Sequence, residues 1–150
     1  MTVSAFEPIR DYFEANWAGS TIVTYKNTSS GESWLPKNSD NELVPWIYFE
    51  VIGTGSELAG ASGTPGNRLW RDYGLIYAHV FVPVGEGEDR AVEIARQAGE
   101  IFRAAAFYES SDGRRIRTLA PAVNGGSGAS DDGNWFRSTM SVEFSYLYRG

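Results

Sequence analysis

The chain has 150 residues, a net charge of −6 and no cysteine. The missing cysteines exclude a disulfide framework and thiolate chemistry, and the acidic balance argues against a general nucleic-acid binder. The length fits one domain over residues 1–150, able to bury a core without a covalent staple.

No apolar run approaches the roughly 18 residues that a membrane helix needs. Met1–Glu7 lacks a basic region followed by an apolar one, so no secretory signal is expected. Eleven arginines stand against two lysines, Lys26 and Lys37, and aromatic residues make up 14%. Interfaces favour Arg, Tyr, Trp and Phe over Lys. GC-rich codon usage gives the same arginine bias, so composition supports assembly only weakly.

The first predicted element is a helix. Ser4-Ala5-Phe6-Glu7 has the form of a capping box. Pro8 falls in the first turn, where its missing N–H costs little. Phe6, Ile9, Phe13 and Trp17 recur at helical spacing, and Gly19 is placed to end the helix. A short β-branched and aromatic strand, 21–25, follows. Residues 26–44 are polar and read as a long loop. Strand character returns over 45–54, then five glycines mark a second loop over 53–67.

Residues 69–84 form a long predicted strand. Its middle, Leu75–Val82, is almost continuously apolar and suits a central strand covered on both faces. Gly74 marks a bulge or bend. The turn 83–87 leads to a second helix with Glu88 and Asp89 at its N-terminus, where the helix dipole favours negative charge. Ala91, Ala95, Ala98, Phe102 and Ala105 line its apolar face. Glu93–Arg96 and Glu100–Arg103 are i,i+3 pairs on the wet face. Gly99 costs roughly 1 kcal/mol in mid-helix, which close approach to a neighbouring element would offset. A short strand over 114–119, a Gly/Ser/Asp-rich loop over 120–134 and a last strand over 135–148 complete the chain. In that last strand Phe136, Met140, Val142, Phe144, Tyr146 and Tyr148 alternate with Arg137, Thr139, Ser141, Glu143 and Ser145. It is therefore half-buried, with one wet face. The order predicts an α+β fold: a mainly antiparallel sheet of about five strands, two helices on one face, long projecting strands and flexible Gly/Ser-rich loops.

Catalytic signals are weak. His79 is the sole histidine and sits within an apolar strand, where a structural role is the ordinary one. Zinc lacks soft ligands. Gly125-Gly126-Ser127-Gly128-Ala129 misses the last glycine and the helix of a nucleophile elbow. Glu86, Glu88 and Asp89 could hold a divalent ion, but service to the helix dipole and solvent is the stronger reading, and Asp131–Asn134 is a turn by composition. Gly85-x-Gly87 precedes a helix as phosphate loops do, yet the acidic residues there would repel phosphate. Arg114, Arg115 and Arg117 form a basic cluster. It could meet an acidic surface or DNA; a charge-protected edge strand is the simpler reading. The expectation is a protein that is not an enzyme and needs no cofactor or metal.

Length of strand is the stronger signal. Fourteen residues of strand span roughly 46 Å, whereas a compact domain of this size is about 38 Å across. Such strands must bend or project, and projecting edges need partners.

The order of elements resembles the tail terminator, or tail completion, proteins of long-tailed lambda-type bacteriophages. The resemblance rests on the helix running into a strand, the segment Tyr73–Pro83, Gly85-x-Gly87, the Ala-rich helix ending Ile101-Phe102, and Trp135–Phe144. It covers most of the chain and lies in patterns of hydrophobicity and glycine. It implies a structural phage or prophage protein forming a homo-oligomeric ring, usually a hexamer. The ring caps the tail tube, ends its polymerisation and offers the head-joining surface. The implied partners are other copies of the chain, the tail tube protein and head–tail connector or neck proteins. Neither a membrane nor specific nucleic-acid binding is implied, although DNA could pass through the ring. The implied location is the virion tail, assembled in the host bacterial cytoplasm. Loops 26–44, 55–67 and 120–134 and the projecting strands would carry the contacts. The candidate assembly residues are Arg68, Arg71, Tyr73, Arg115, Arg117, Trp135 and Arg137. Another neck or tube component of related fold, or a small ligand-binding domain or enzyme, are the alternatives.

Overall fold

The computed structural model describes residues 4–19, 21–25, 40, 42–60, 63–85, 88–111, 113–127 and 135–150. The described elements are α1 (Phe6–Asn16), β1 (Ile22–Tyr25), β2 (Trp46–Leu58), β3 (Leu69–Pro83), α2 (Glu88–Ile101), β4 (Ala106–Phe107), β5 (Arg115–Thr118), β6 (Ala122–Ser127) and β7 (Trp135–Arg149). The fold is mixed α+β. Its sheet runs β1-β2-β3-β7-β5-β4, with β6 also pairing β7. Every pair but β1–β2 is antiparallel.

The described residues form seven strands where about five were expected. β6 falls where a Gly/Ser-rich loop was expected, and β4 is too short to leave a periodic signal. β2 also runs on through Gly53-Thr54-Gly55-Ser56 to Leu58, four residues beyond its expected end. Backbone pairing to β3 holds these weak strand formers in place: Gly55 faces Tyr73, Ser56 Asp72, Glu57 Arg71 and Leu58 Trp70. The second loop shrinks accordingly. Residues 26–39 and 128–134 lie outside the described residues.

Burial along β3 alternates without exception from Gly74 to Val82. Ile76, Ala78, Val80 and Val82 are fully buried; Leu75, Tyr77, His79 and Phe81 are half-buried. The expectation of cover on both faces is thus corrected. The second face of this central strand is apolar in composition without being closed over. The same alternation runs along β7, where Met140, Val142, Phe144 and Tyr146 turn inward.

Both helices cover the same face. Phe13 of α1, Phe49 of β2 and Phe102 just beyond α2 form a stacked trio, with centroids 4.7 Å apart for Phe13–Phe49, 6.0 Å for Phe13–Phe102 and 6.2 Å for Phe49–Phe102. Ala91, Ala95 and Ala98 are fully buried, as the helical spacing requires. Gly99 explains itself: a Cβ there would come within 2.9 Å of Pro121 Cβ and 3.1 Å of Met140 Cγ. Only glycine lets α2 approach β7 this closely. The wet-face pairs form as expected, Arg96–Glu93 at 3.4 Å and Arg103–Glu100 at 2.8 Å.

The capping box does not form. The N-cap of α1 is Ala5, without a side-chain cap, and Ser4 Oγ accepts the Phe6 N–H at 3.2 Å. The helix stops at Asn16, whose side chain turns back to donate to the Tyr12 carbonyl at 2.8 Å, and Trp17 is already extended. Thr118 closes the other helix. Its hydroxyl donates to the Phe102 carbonyl and accepts the Ala105 N–H at 3.0 Å.

Candidate assembly surface

β2, β3 and β7 outrun the helices. Residues 52–58 of β2 are exposed throughout, and their partners are the first residues of β3. The ladder slips between Gly53 and Gly55, opposite Gly74. Gly74 is itself required, because a Cβ there would collide with the Ile52 backbone carbonyl oxygen and lie 2.5 Å from the Phe144 ring. The bulge therefore sits on β2, across from the glycine that the sequence pointed to. The end of this ribbon is held by paired bonds between Arg68 and Gly150, at 3.0 and 2.9 Å, and by Trp70 Nε1–H donating to the Gly150 carbonyl at 3.1 Å.

The open face of the sheet has two halves. Over β1–β3 and the start of β7 it is aromatic. Trp46 stacks on Phe81 at 4.3 Å and meets Trp135 edge-on at 6.1 Å, while Tyr77 stacks on His79 at 5.5 Å. Trp135, offered as a contact residue, is instead 5% exposed and packs here. Arg137 is exposed and faces Phe81 across the ladder.

His79 lies at the centre of this half. Its Nδ1 is 3.1 Å from Thr139 Oγ1 and its Nε2 is 2.7 Å from Glu50 Oε1. The chain of groups has the order of a nucleophile, a base and an orienting carboxylate. The strands that carry the three residues are paired in register, β2 with β3 and β3 with β7. The trio is cross-strand pairing on a half-exposed surface.

The other half is basic. Register places Glu57, Arg71, Leu147 and Arg115 in one row across four strands, and Gly55, Tyr73, Ser145 and Arg117 in the next. Arg71, Arg115, Arg117, Tyr73, Ser145 and Leu147 surround a cavity of about 280 Å³. A second cavity of about 500 Å³ adjoins it through Tyr73, Arg117 and Ser145 and adds Leu75, Leu119 and Glu143. Leu119 is 58% exposed. Tyr73 donates its hydroxyl to Glu57 at 2.6 Å and Arg71 donates to the same oxygen at 3.3 Å. These bonds, the tyrosine's first, hold the Glu57 carboxyl below the usual carboxylate range. Arg115 and Arg117 have no ion pair among the described residues.

Four of the seven candidate residues, Arg71, Tyr73, Arg115 and Arg117, thus meet at one groove. Arg68 sits at the ribbon tip, and Trp135 and Arg137 lie at the far end of β7. The groove's leucines were missed, although the alternation of β7 already places Leu147 on the face of Ser145 and Glu143. The edge-strand reading of the basic cluster is corrected. β5 is flanked by β7 and β4, so its charges do not guard a free edge. Arg114 stands apart, with its guanidinium 5.8 Å from the Tyr108 ring centroid.

Other sequence signals gain little. Residues 125–127 lie in β6, and 128–129 lie outside the described residues. Glu86 and 131–134 lie outside the described residues, as does the side chain of Glu88. Among the described residues no cluster of three metal-ligating side chains occurs, and no helix is long and apolar enough to cross a membrane.

No family model and no curated protein matches this chain. A solved structure is similar over 98% of both chains, with a TM-score of 0.61 at 15% identity. At that identity the likeness concerns the fold alone.

Proposed function

We propose that this chain is a structural assembly protein of a tailed phage or prophage, a terminator whose copies form a ring, hexameric in the family it resembles, at the end of the tail tube. The ring would end tube growth and present a surface for head or neck proteins. It would act in the virion tail after assembly in the bacterial cytoplasm, without enzymatic chemistry or a cofactor. The observation that carries this reading is the open sheet face. Long strands extend beyond the helices and carry exposed leucine and tyrosine beside Arg115 and Arg117, which have no ion pair among the described residues. Interfaces combine such apolar anchors with Arg and Tyr. Heterologous contacts of this kind generate rings when the rotation closes.

The test is growth of tail tubes of the same phage in the presence of the protein, followed by electron microscopy. A terminator binds one end and shortens the length distribution. Decoration along tube sides would assign the chain to another neck or tube station. Absence of any tube binding would remove the whole reading.

A further inference from the structure

The groove around Arg71, Arg115 and Arg117 opens on the side of the sheet that the helices do not cover, because Ile116 and Thr118 between and beside these arginines are buried in the core. On the opposite side, α1 presents Glu7, Asp11 and Glu14 outward at i, i+4 and i+7, one exposed stripe. Arg10 lies beside it, paired to Asp11 at 3.1 Å, and leaves the stripe acidic overall. A cavity of about 350 Å³ borders the stripe, lined by Glu7, Pro8, Asp11, Tyr12, Phe107 and Tyr108. The chain as a whole carries 19 acidic against 13 basic residues, so another copy of it is itself an acidic surface.

We propose that the arginine groove of one copy receives the outer ridge of α1 of the next copy. This inference rests on the ring reading above and names its contact. Opposite charges on opposite faces of one sheet give a head-to-tail interface, which leaves a free groove and a free ridge until the ring closes. Arg115 and Arg117 supply the cationic side, and Leu119, Leu147 and Tyr73 supply apolar anchors. Those anchors also favour polypeptide over DNA, because a phosphate backbone gains nothing from exposed leucine.

The experiment is sedimentation of the full chain up to millimolar concentration, with two variants. One carries Arg115→Glu and Arg117→Glu; the other carries Glu7→Lys and Asp11→Lys. Glu7, Asp11 and Arg117 are exposed and Arg115 is half-buried outside the core, so thermal melting should stay close to the wild-type value. The wild type should self-associate, and each variant alone should weaken association by roughly tenfold or more. An equimolar mixture of the two should regain it, since the acidic ridge of the first fits the intact groove of the second and the basic ridge of the second fits the reversed groove of the first. Three results would overturn the inference: a wild type that stays monomeric throughout, single variants that associate like wild type, or a mixture that stays as weak as its parts. Groove-dependent binding of a short DNA duplex by a monomeric wild type would assign the arginines to nucleic acid instead. Tube capping is scored separately, so a failed contact and a failed terminator reading give different results.

Discussion

The two faces of the sheet are built by the same strands and solve different problems. In β3, Ile76, Ala78, Val80 and Val82 meet the helices and are fully buried. Their neighbours Leu75, Tyr77, His79 and Phe81 point the other way and stay half-exposed. The covered face interleaves aliphatic side chains with stacked phenylalanines, is small where α2 presses close, and is intolerant of added atoms. The open face is aromatic at one end and arginine-rich at the other, and its polar groups pair across strands. On the proposed reading, a face selected for packing within one chain differs in this way from a face that keeps groups available to a partner.

Mutation should separate the faces sharply. Phe102→Ala removes a ring from the Phe13–Phe49–Phe102 stack and should cost about 3–5 kcal/mol in chemical denaturation. Tyr73→Ala on the open face, 38% exposed, should cost no more than about 1 kcal/mol. Equal losses at both sites would erase the distinction. Gly74→Ala comes next in size. Its new methyl would meet the Ile52 carbonyl oxygen and the Phe144 ring, and overpacking costs about 1–3 kcal/mol or more where backbone must move.

Alkaline pH probes the same contrast. Burial pushes the Tyr146 phenol on the covered face up to about 12 from an ordinary 10.0. Burial, helped by the bond to Glu14, also raises Tyr25. A raised folded-state value means that the fold holds the protonated phenol. Its contribution is complete below the unfolded value near 10.0 and is lost as pH climbs through the window up to about 12. Stability measured across that window should fall, and Tyr146→Phe should flatten part of the fall. A variant with the same alkaline loss as wild type would show that this phenol is not held.

The smallest expected effect is a gain. Ala104, just beyond α2, has φ of 46°, a left-handed conformation that costs an L-residue roughly 1–2 kcal/mol. Ala104→Gly should recover about 1 kcal/mol of that, less the added freedom of the unfolded chain. Loss of stability on thermal unfolding would contradict the assignment of strain at this turn.

What the sequence made legible followed periodicity. Both helices, the alternation of β7 and the buried alanines of α2 are written in side-chain spacing. So is the close approach at Gly99, where a helix breaker stands among small residues. What escaped was fixed by the backbone of a neighbour. The Gly-Thr-Gly-Ser end of β2 and the Gly-containing β6 have little strand propensity and are recruited by pairing with β3 and β7. The continuous apolar run in β3 suggested two covered faces because composition alone does not tell a residue buried by its own chain from one left for a partner. The basic cluster was visible, but its meeting with Arg71 depends on the order β3-β7-β5, which no local pattern encodes.

The central claim is that the open face is where copies and tube ends meet. Hydroxyl-radical footprinting of the free protein and of the protein bound to tail tubes tests it most directly. Tyr73, Leu119 and Leu147 should lose reactivity on assembly, while Phe102 and Tyr146, already buried, should remain unreactive in both states. Unchanged labelling of all three open-face residues in a verified tube-bound sample would contradict the account.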